Sequence, residues 1–257
     1  MVRRVPPTEA IHLKPATDLA DRVLLPGDPH RALAVAQSLL AAPRMFNHHR
    51  GLWGYTGEAP DGRPLTVQST GMGGPSAAVV VEELIDLGAR TLIRIGTCGA
   101  LAPELCLGDL LVVTEALAAD GASVALGAEG SVASDARLTA ALLEAGAACH
   151  STTRPAVVAS TDLFYDDRGG VAGEWRERGA LAVEMEAATV LRVAQRRGAR
   201  AACVLAVTDL LAESGPDQSR TRIDRVGIEG VGIHLGELAY EGLAAATGAG
   251  RDAAARA

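Results

Sequence analysis

Two arginines, two glutamates and one aspartate in this chain fall where side chains of an α/β sheet can do chemistry, next to the ends of buried strands. The segment Gly27-Asp28-Pro29-His30-Arg31 follows the apolar run 22–26. A glycine there exposes its backbone N–H, and a guanidinium lies one helical turn further on. Together they can hold a phosphate, although Gly-Asp-Pro is also an ordinary turn. The segment Arg94-Ile95-Gly96-Thr97-Cys98-Gly99 puts a second guanidinium beside a hydroxyl and two glycines. Arg94 lies within the apolar run 91–95, where an unpaired charge is very costly, so it demands an anionic partner, either a carboxylate or a ligand. In Val183-Glu184-Met185-Glu186, two carboxylates stand two residues apart where a strand meets a helix. Such a pair can accept hydrogen bonds from a sugar diol, or simply favour the positive end of a helix. Asp209 closes the apolar strand 201–207 and fits a general acid or a helix cap.

The elements that must position these groups follow from periodicity and turn residues. Strands are expected at 22–26, 53–57, 64–69, 91–95, 109–114, 155–159, 181–183 and 201–207. Helices are expected at 30–40, 75–87, 134–146, 186–197 and 227–246, the second starting on Pro75 and the third capped by Ser134 or Asp135. The stretches 118–130, 166–172 and 212–220 read as irregular or loop, and the tail from 247 as frayed. Strands alternating with helices mean an α/β sheet covered on both faces.

Bulk properties narrow the function. Of 257 residues, 48% are hydrophobic and only 3% aromatic, so small aliphatic side chains must fill the core. That suits helices packed closely on a buried sheet. A net charge of −7 argues against a nucleic-acid-binding face, yet permits a local arginine cluster around one small anion. Cys98, Cys106, Cys149 and Cys203 form no CxxC pair and no zinc-like spacing, so no metal is expected and the thiols read as those of a reduced, cytoplasmic protein. No apolar stretch follows Arg3 and Arg4 as in a signal peptide, and no run approaches the ~18 residues of a membrane span.

Four segments together resemble the nucleoside phosphorylases that include bacterial hexameric purine nucleoside phosphorylase and uridine phosphorylase. They are 25–31 (LPGDPHR), 71–76 (GMGGPS) with 81–84 (VEEL), 94–100 (RIGTCGA) and 183–188 (VEMEAA), and the similarity spans about residues 10 to 245. The resemblance implies a single domain over 1–257, frayed at about 1–9 and 247–257, with a three-layer α/β/α fold around a central mixed sheet. It implies a phosphate site of Gly27, Arg31, Arg94 and Thr97, joined by Arg50 of a neighbouring subunit. The ribose would meet Met72, Met185 and Glu186, with His12 reaching across from the neighbour. The base would lie by Phe164, Val183, Glu184 and Thr208. In the purine branch, Asp209 would protonate N7 of the leaving base, assisted by Arg222 thirteen residues on, with Arg220 and Arg225 close enough to compete for that role. The implied protein is a homo-oligomer, a hexamer built as a trimer of dimers, that acts on a nucleoside with inorganic phosphate as co-substrate, without cofactor, metal, nucleic acid or membrane. Three guanidiniums favour phosphate over water as nucleophile, because they orient a dianion beside C1′.

Uridine phosphorylase is the main alternative. That branch reads uracil with a Gln and an Arg shortly after a Phe-Tyr pair; here Phe164-Tyr165 is followed by Arg168 with no Gln nearby. A 5′-methylthioadenosine phosphorylase is a third reading, and a non-catalytic nucleoside-binding protein a fourth. All phosphorylase readings require Arg31 and Arg94 to converge on one pocket. Arginines that point apart, or that are each neutralised by their own carboxylate, would defeat them.

Overall fold

The computed structural model describes residues 10–148, 153–211 and 220–248. Strand β1 (Arg22–Pro26) is wholly buried and delivers the chain to Asp28. The Asp28 side chain accepts the Arg31 N–H, and Pro29 occupies the first position, so helix α1 (Pro29–Leu39) begins here. That cap places Arg31 in the first turn, above the end of β1. Strands β2 (Ala41–Asn47), β3 (Gly54–Glu58) and β4 (Pro64–Gln68) make an antiparallel meander, and β4 joins β1 in parallel. Helix α2 (Gly74–Leu87) leads to β5 (Thr91–Ala100) and β6 (Leu110–Ala119). There follow α3 (Gly121–Ala125), β7 (Ser131–Ala133), α4 (Ala136–Ala148), β8 (Thr153–Thr161) and α5 (Val171–Glu177). The chain continues with β9 (Ala180–Glu184), α6 (Ala187–Arg197), β10 (Arg200–Leu211), β11 (Arg220–Arg222) and α7 (Arg225–Ala246).

Among the described residues, eleven strands form one mixed sheet, in agreement with the expected α/β fold. Its two faces are covered separately. Val23, Leu25 and Leu92 pack with α2 and α6 on one side. The alternate residues Leu24 and Ile93 pack with α1, α4 and α7 on the other. The period-2 alternation of side chains within continuous apolar strands produces these two cores.

Part of the sheet closes on itself. Strand β5 pairs with β10 on one side and β9 on the other, and β10, β6, β8 and β9 complete the ring. Strands β5, β6 and β10 therefore run beyond their expected ends. Gly96 and Gly99 do not punctuate β5 but pair with Leu205 and Asp209 of β10. The register slips at Thr208, and such a bulge re-aims the side chain that follows it, here Asp209.

Several expectations from the sequence need correction. The stretch 118–130 contains the end of β6 and α3, and 166–172 runs into α5. Strand β2 was not anticipated, because its mostly exposed residues show no apolar alternation. Asp135, not Ser134, accepts the Leu138 N–H at the start of α4. Residues 212–219 of the expected polar loop, and the expected frayed ends except residues 247 and 248, lie outside the described residues. Among the described residues, no helix is long and apolar enough to cross a membrane.

Candidate active site

A cavity of about 450 Å³ opens where β1, β5, β9 and β10 meet the loops after β4 and β8. Arg31 and Arg94 both line it, from α1 and β5 respectively. The first condition on the arginines is thus met. They differ on the second. Among the described residues Arg31 makes no ion pair, whereas Arg94 makes two, to Glu184 Oε2 at 2.8 Å and Glu186 Oε2 at 2.5 Å. The partner demanded by the buried charge is thus a pair of carboxylates, and both belong to the cavity itself.

The sheet explains this meeting. Strand β9 runs antiparallel to β5, with Val183 opposite Gly99, so its end carries Glu184 and Glu186 back towards Arg94. Gly96, two residues beyond Arg94 on the same strand face, leaves room for the guanidinium. A Cβ there would stand 2.7 Å from Arg94 Nη2 and 2.9 Å from Cζ. Glu186 is also held by the Gly73 N–H at 2.5 Å, in a turn where Gly73 adopts φ of 83°.

Charge states follow from these neighbours. Burial disfavours the charge on Arg94, but Glu186 and Glu184 outweigh it and hold the guanidinium more firmly protonated than usual. For Arg31, burial lowers the pKa, Asp28 opposes, and the like charge of Arg94 lowers it further. An anion between the two cations would relieve that repulsion. Burial raises the Glu186 pKa above the ordinary glutamate range; Arg94 opposes this and Glu184 reinforces it.

On the cavity wall near β10, Asp209 is 6% exposed. Thr208 Oγ1 donates to its Oδ2 at 2.8 Å. Among the described residues its Oδ1 has no hydrogen-bond partner, and it lies 3.4 Å from Arg222 Nε. Strand β11 sets that approach, because Arg222 is the cross-strand partner of Asp209; Arg220 is paired with Leu211 instead.

Most other residues singled out in the sequence also line this cavity: Gly27, Thr97, Phe164, Val183 and Met185, with Met72 86% exposed at its mouth. Phe164 packs edge-on against Tyr165. Glu184 lines the cavity too, but its side chain is closed to solvent and spent on protein partners. Thr208 is buried beside the cavity wall, not on it. His12 and Arg50 stand apart. His12 Nδ1 lies 2.7 Å from Glu83 Oε1, and Arg50 is exposed in a 3-10 turn, in left-handed backbone with φ of 57°. Arg168 is bound to Asp166 outside the cavity, with its Nε 2.8 Å from Oδ1. Sequence reasoning missed Ser160, and it named Gly73 and Gly96 only as motif glycines, without these packing roles. The Arg-x-Gly spacing on one strand face could have revealed the role of Gly96; Ser160 gave no signal.

Known proteins resemble this chain along most of its length. The pattern of the phosphorylase superfamily matches residues 21–229. Uridine phosphorylase of Escherichia coli (strain K12) is 38% identical over 203 residues, covering 73% of this chain and 79% of the relative. A DeoD-type purine nucleoside phosphorylase of Geobacillus kaustophilus is 36% identical over 204 residues, covering 78% and 86%. Another, from Alkaliphilus metalliredigens, is 34% identical over 224 residues, covering 86% and 96%.

Proposed function

Since the chain belongs to the phosphorylase superfamily, we propose that it cleaves purine ribonucleosides and deoxyribonucleosides with inorganic phosphate, giving free base and pentose 1-phosphate. The observation that carries the purine reading is Asp209: a buried carboxyl on the cavity wall, one oxygen of which has no hydrogen bond among the described residues and lies 3.4 Å from Arg222 Nε. Arg31, Arg94 and Thr97 would hold phosphate, Glu186 the sugar hydroxyls, and Phe164 and Val183 the base. A phosphate oxygen forms the new bond to C1′ as the C1′–N9 bond breaks. The electron pair goes to the purine, and Asp209 supplies a proton at N7. A carboxyl group can donate or accept, so 6-amino and 6-oxo purines both fit. No metal or organic cofactor enters this scheme.

Arg50 and His12, outside the cavity of their own chain, would complete the site of an adjoining subunit in a homo-oligomer, a hexamer in this reading. Uridine cleavage is the second reading, favoured by relatives named uridine phosphorylase at 37–38% identity. The exposed Arg168–Asp166 pair and the lack of a Gln in 166–170 count against it. Base release from adenosine, inosine, guanosine and uridine, with and without phosphate, separates the two. We expect all three purine nucleosides to react faster than uridine, and none without phosphate. Preferential cleavage of uridine would reject the purine assignment.

A pH dependence follows from Glu186. Because its pKa is raised, it takes up a proton at a pH where an exposed glutamate, near 4.3, is still ionised. A protonated Glu186 accepts sugar hydroxyls poorly, so nucleoside affinity is present at neutral pH and is lost on acidification earlier than an ordinary glutamate would dictate. Calorimetric titration with inosine in the absence of phosphate, from about pH 8 to about pH 4, should show a midpoint above ~4.3. Glu186→Gln should bind weakly throughout, without that midpoint. A wild-type midpoint at or below the ordinary value would remove Glu186 from the sugar site.

A further inference from the structure

Glu184 and Glu186 flank the same guanidinium but are bonded very differently. Glu184 Oε1 accepts Ser160 Oγ at 2.5 Å and the Ala187 N–H at 3.0 Å. Its Oε2 accepts Arg94 Nε, the Glu186 N–H and the Ala187 N–H, each at 2.9 Å, and lies 2.8 Å from Arg94 Nη2. A carboxylate offers about four lone-pair sites, so Glu184 has none left for a ligand. Ser160 is itself fixed, because its hydroxyl also accepts the Ala188 N–H at 2.9 Å. Among the described residues Glu186 has the Gly73 N–H and Arg94 Nη2 as its partners, and its side chain is partly open to the cavity. Arg94 Nη1 makes no hydrogen bond among the described residues.

We infer that Glu184 is a positioning residue for the phosphate site: held by Ser160 and the start of α6, it fixes Arg94 along its Nε–Nη2 edge, while Glu186 is the exchangeable partner that yields to ligand. This rests on the phosphorolysis reading above. The two carboxylates stand two residues apart and look equivalent in the sequence, but the geometry gives them separate tasks. Glu184 sets the guanidinium plane before any ligand arrives, so the anion does not bear the cost of ordering it. It also binds the first N–H groups of α6, and a carboxylate that served only as a cap would affect every ligand of the site alike.

Titration calorimetry of inorganic phosphate on the wild type, Glu184→Gln and Ser160→Ala tests this, with inosine binding without phosphate as the comparison. Glu184→Gln removes the negative charge beside Arg94 and keeps one acceptor oxygen in place of two, so an amide NH2 must face either Arg94 or the Ser160 hydroxyl and the Ala187 N–H. It should weaken phosphate ~10- to 100-fold, the scale of a hydrogen bond to a charged group, and inosine by less than about threefold. Ser160→Ala should weaken phosphate in the same direction by a smaller factor. Unchanged phosphate affinity in folded Glu184→Gln, or equal weakening of both ligands, overturns the inference. Should Glu184→Gln fail to fold, Ser160→Ala decides alone: selective loss of phosphate upholds the inference, and no loss rejects it. A wild type that binds no phosphate rejects phosphorolysis itself, an outcome distinct from a positioning failure, which leaves wild-type phosphate binding intact.

Discussion

Replacing Asp209 by Asn should lower adenosine phosphorolysis by ~10²- to 10⁴-fold, the usual range for loss of a positioned general acid. Inosine and guanosine should lose much less. A departing 6-oxopurine spreads its charge onto the exocyclic oxygen and so depends less on a proton at N7. An Asn amide can still donate a hydrogen bond there, although it cannot transfer a proton. Folding should hardly change: the ion pair removed is 3.4 Å long, and its Arg222 partner is 59% exposed, so solvent screens it. Steady-state kcat/KM on the three purine nucleosides reads the effect directly. Equal losses on all three would remove Asp209 as proton donor while leaving the phosphate site untouched.

Arg94→Met should damage function and folding together. Turnover should drop by ~10²- to 10³-fold, because a preorganised cation facing the developing charge is lost from a dry site. Stability should drop by about 3–5 kcal/mol, the cost of leaving buried carboxylates without their cation. Arg94 is only 3% exposed and contacts both Glu184 and Glu186, so little solvent can compensate. The stability loss should shrink as pH falls. Burial already raises the Glu186 pKa, and the variant would lack the Arg94 charge that opposes this, so the native state would bind more protons than the unfolded state and gain from acidification. Arg31→Met is the contrast, since Arg31 makes no ion pair among the described residues: it should lose phosphate affinity with little change in stability. Urea denaturation of both variants at several pH values measures this. An Arg94→Met protein as stable as the wild type at neutral pH would contradict the buried-clamp description.

How far the site was legible depended on the kind of signal. An arginine inside the apolar run 91–95 announced that an anion must be close, and that was readable from desolvation alone. Which anion was not readable, because Glu184 lies 90 residues away and meets Arg94 through the antiparallel β9–β5 pairing. Ring closure of that kind is a long-range register, with no local pattern to betray it. Strong local signals fared better: the turn residues 27–29 placed the start of α1 to within one residue, and short apolar runs located β1, β4 and the first half of β5. The opposite error also occurred. The glycines of 96–99 read as the end of a strand, but they are strand residues that make room for a guanidinium on one face and the Leu211 side chain beside Gly99. Arg22 shows the same limit: at 1% exposure it is tied to Asp61, 39 residues further along the chain and outside the expected strands and helices.

Arg31 and Arg94 are held here to form one binding place for an oxyanion that attacks C1′, and the identity of the pentose product tests this most directly. Wild-type protein given inosine and isotopically labelled phosphate should yield hypoxanthine and labelled pentose 1-phosphate in equal amounts. Free pentose, formed at the same rate whether phosphate is present or absent, would mean that water is the nucleophile and that the two guanidiniums serve another purpose.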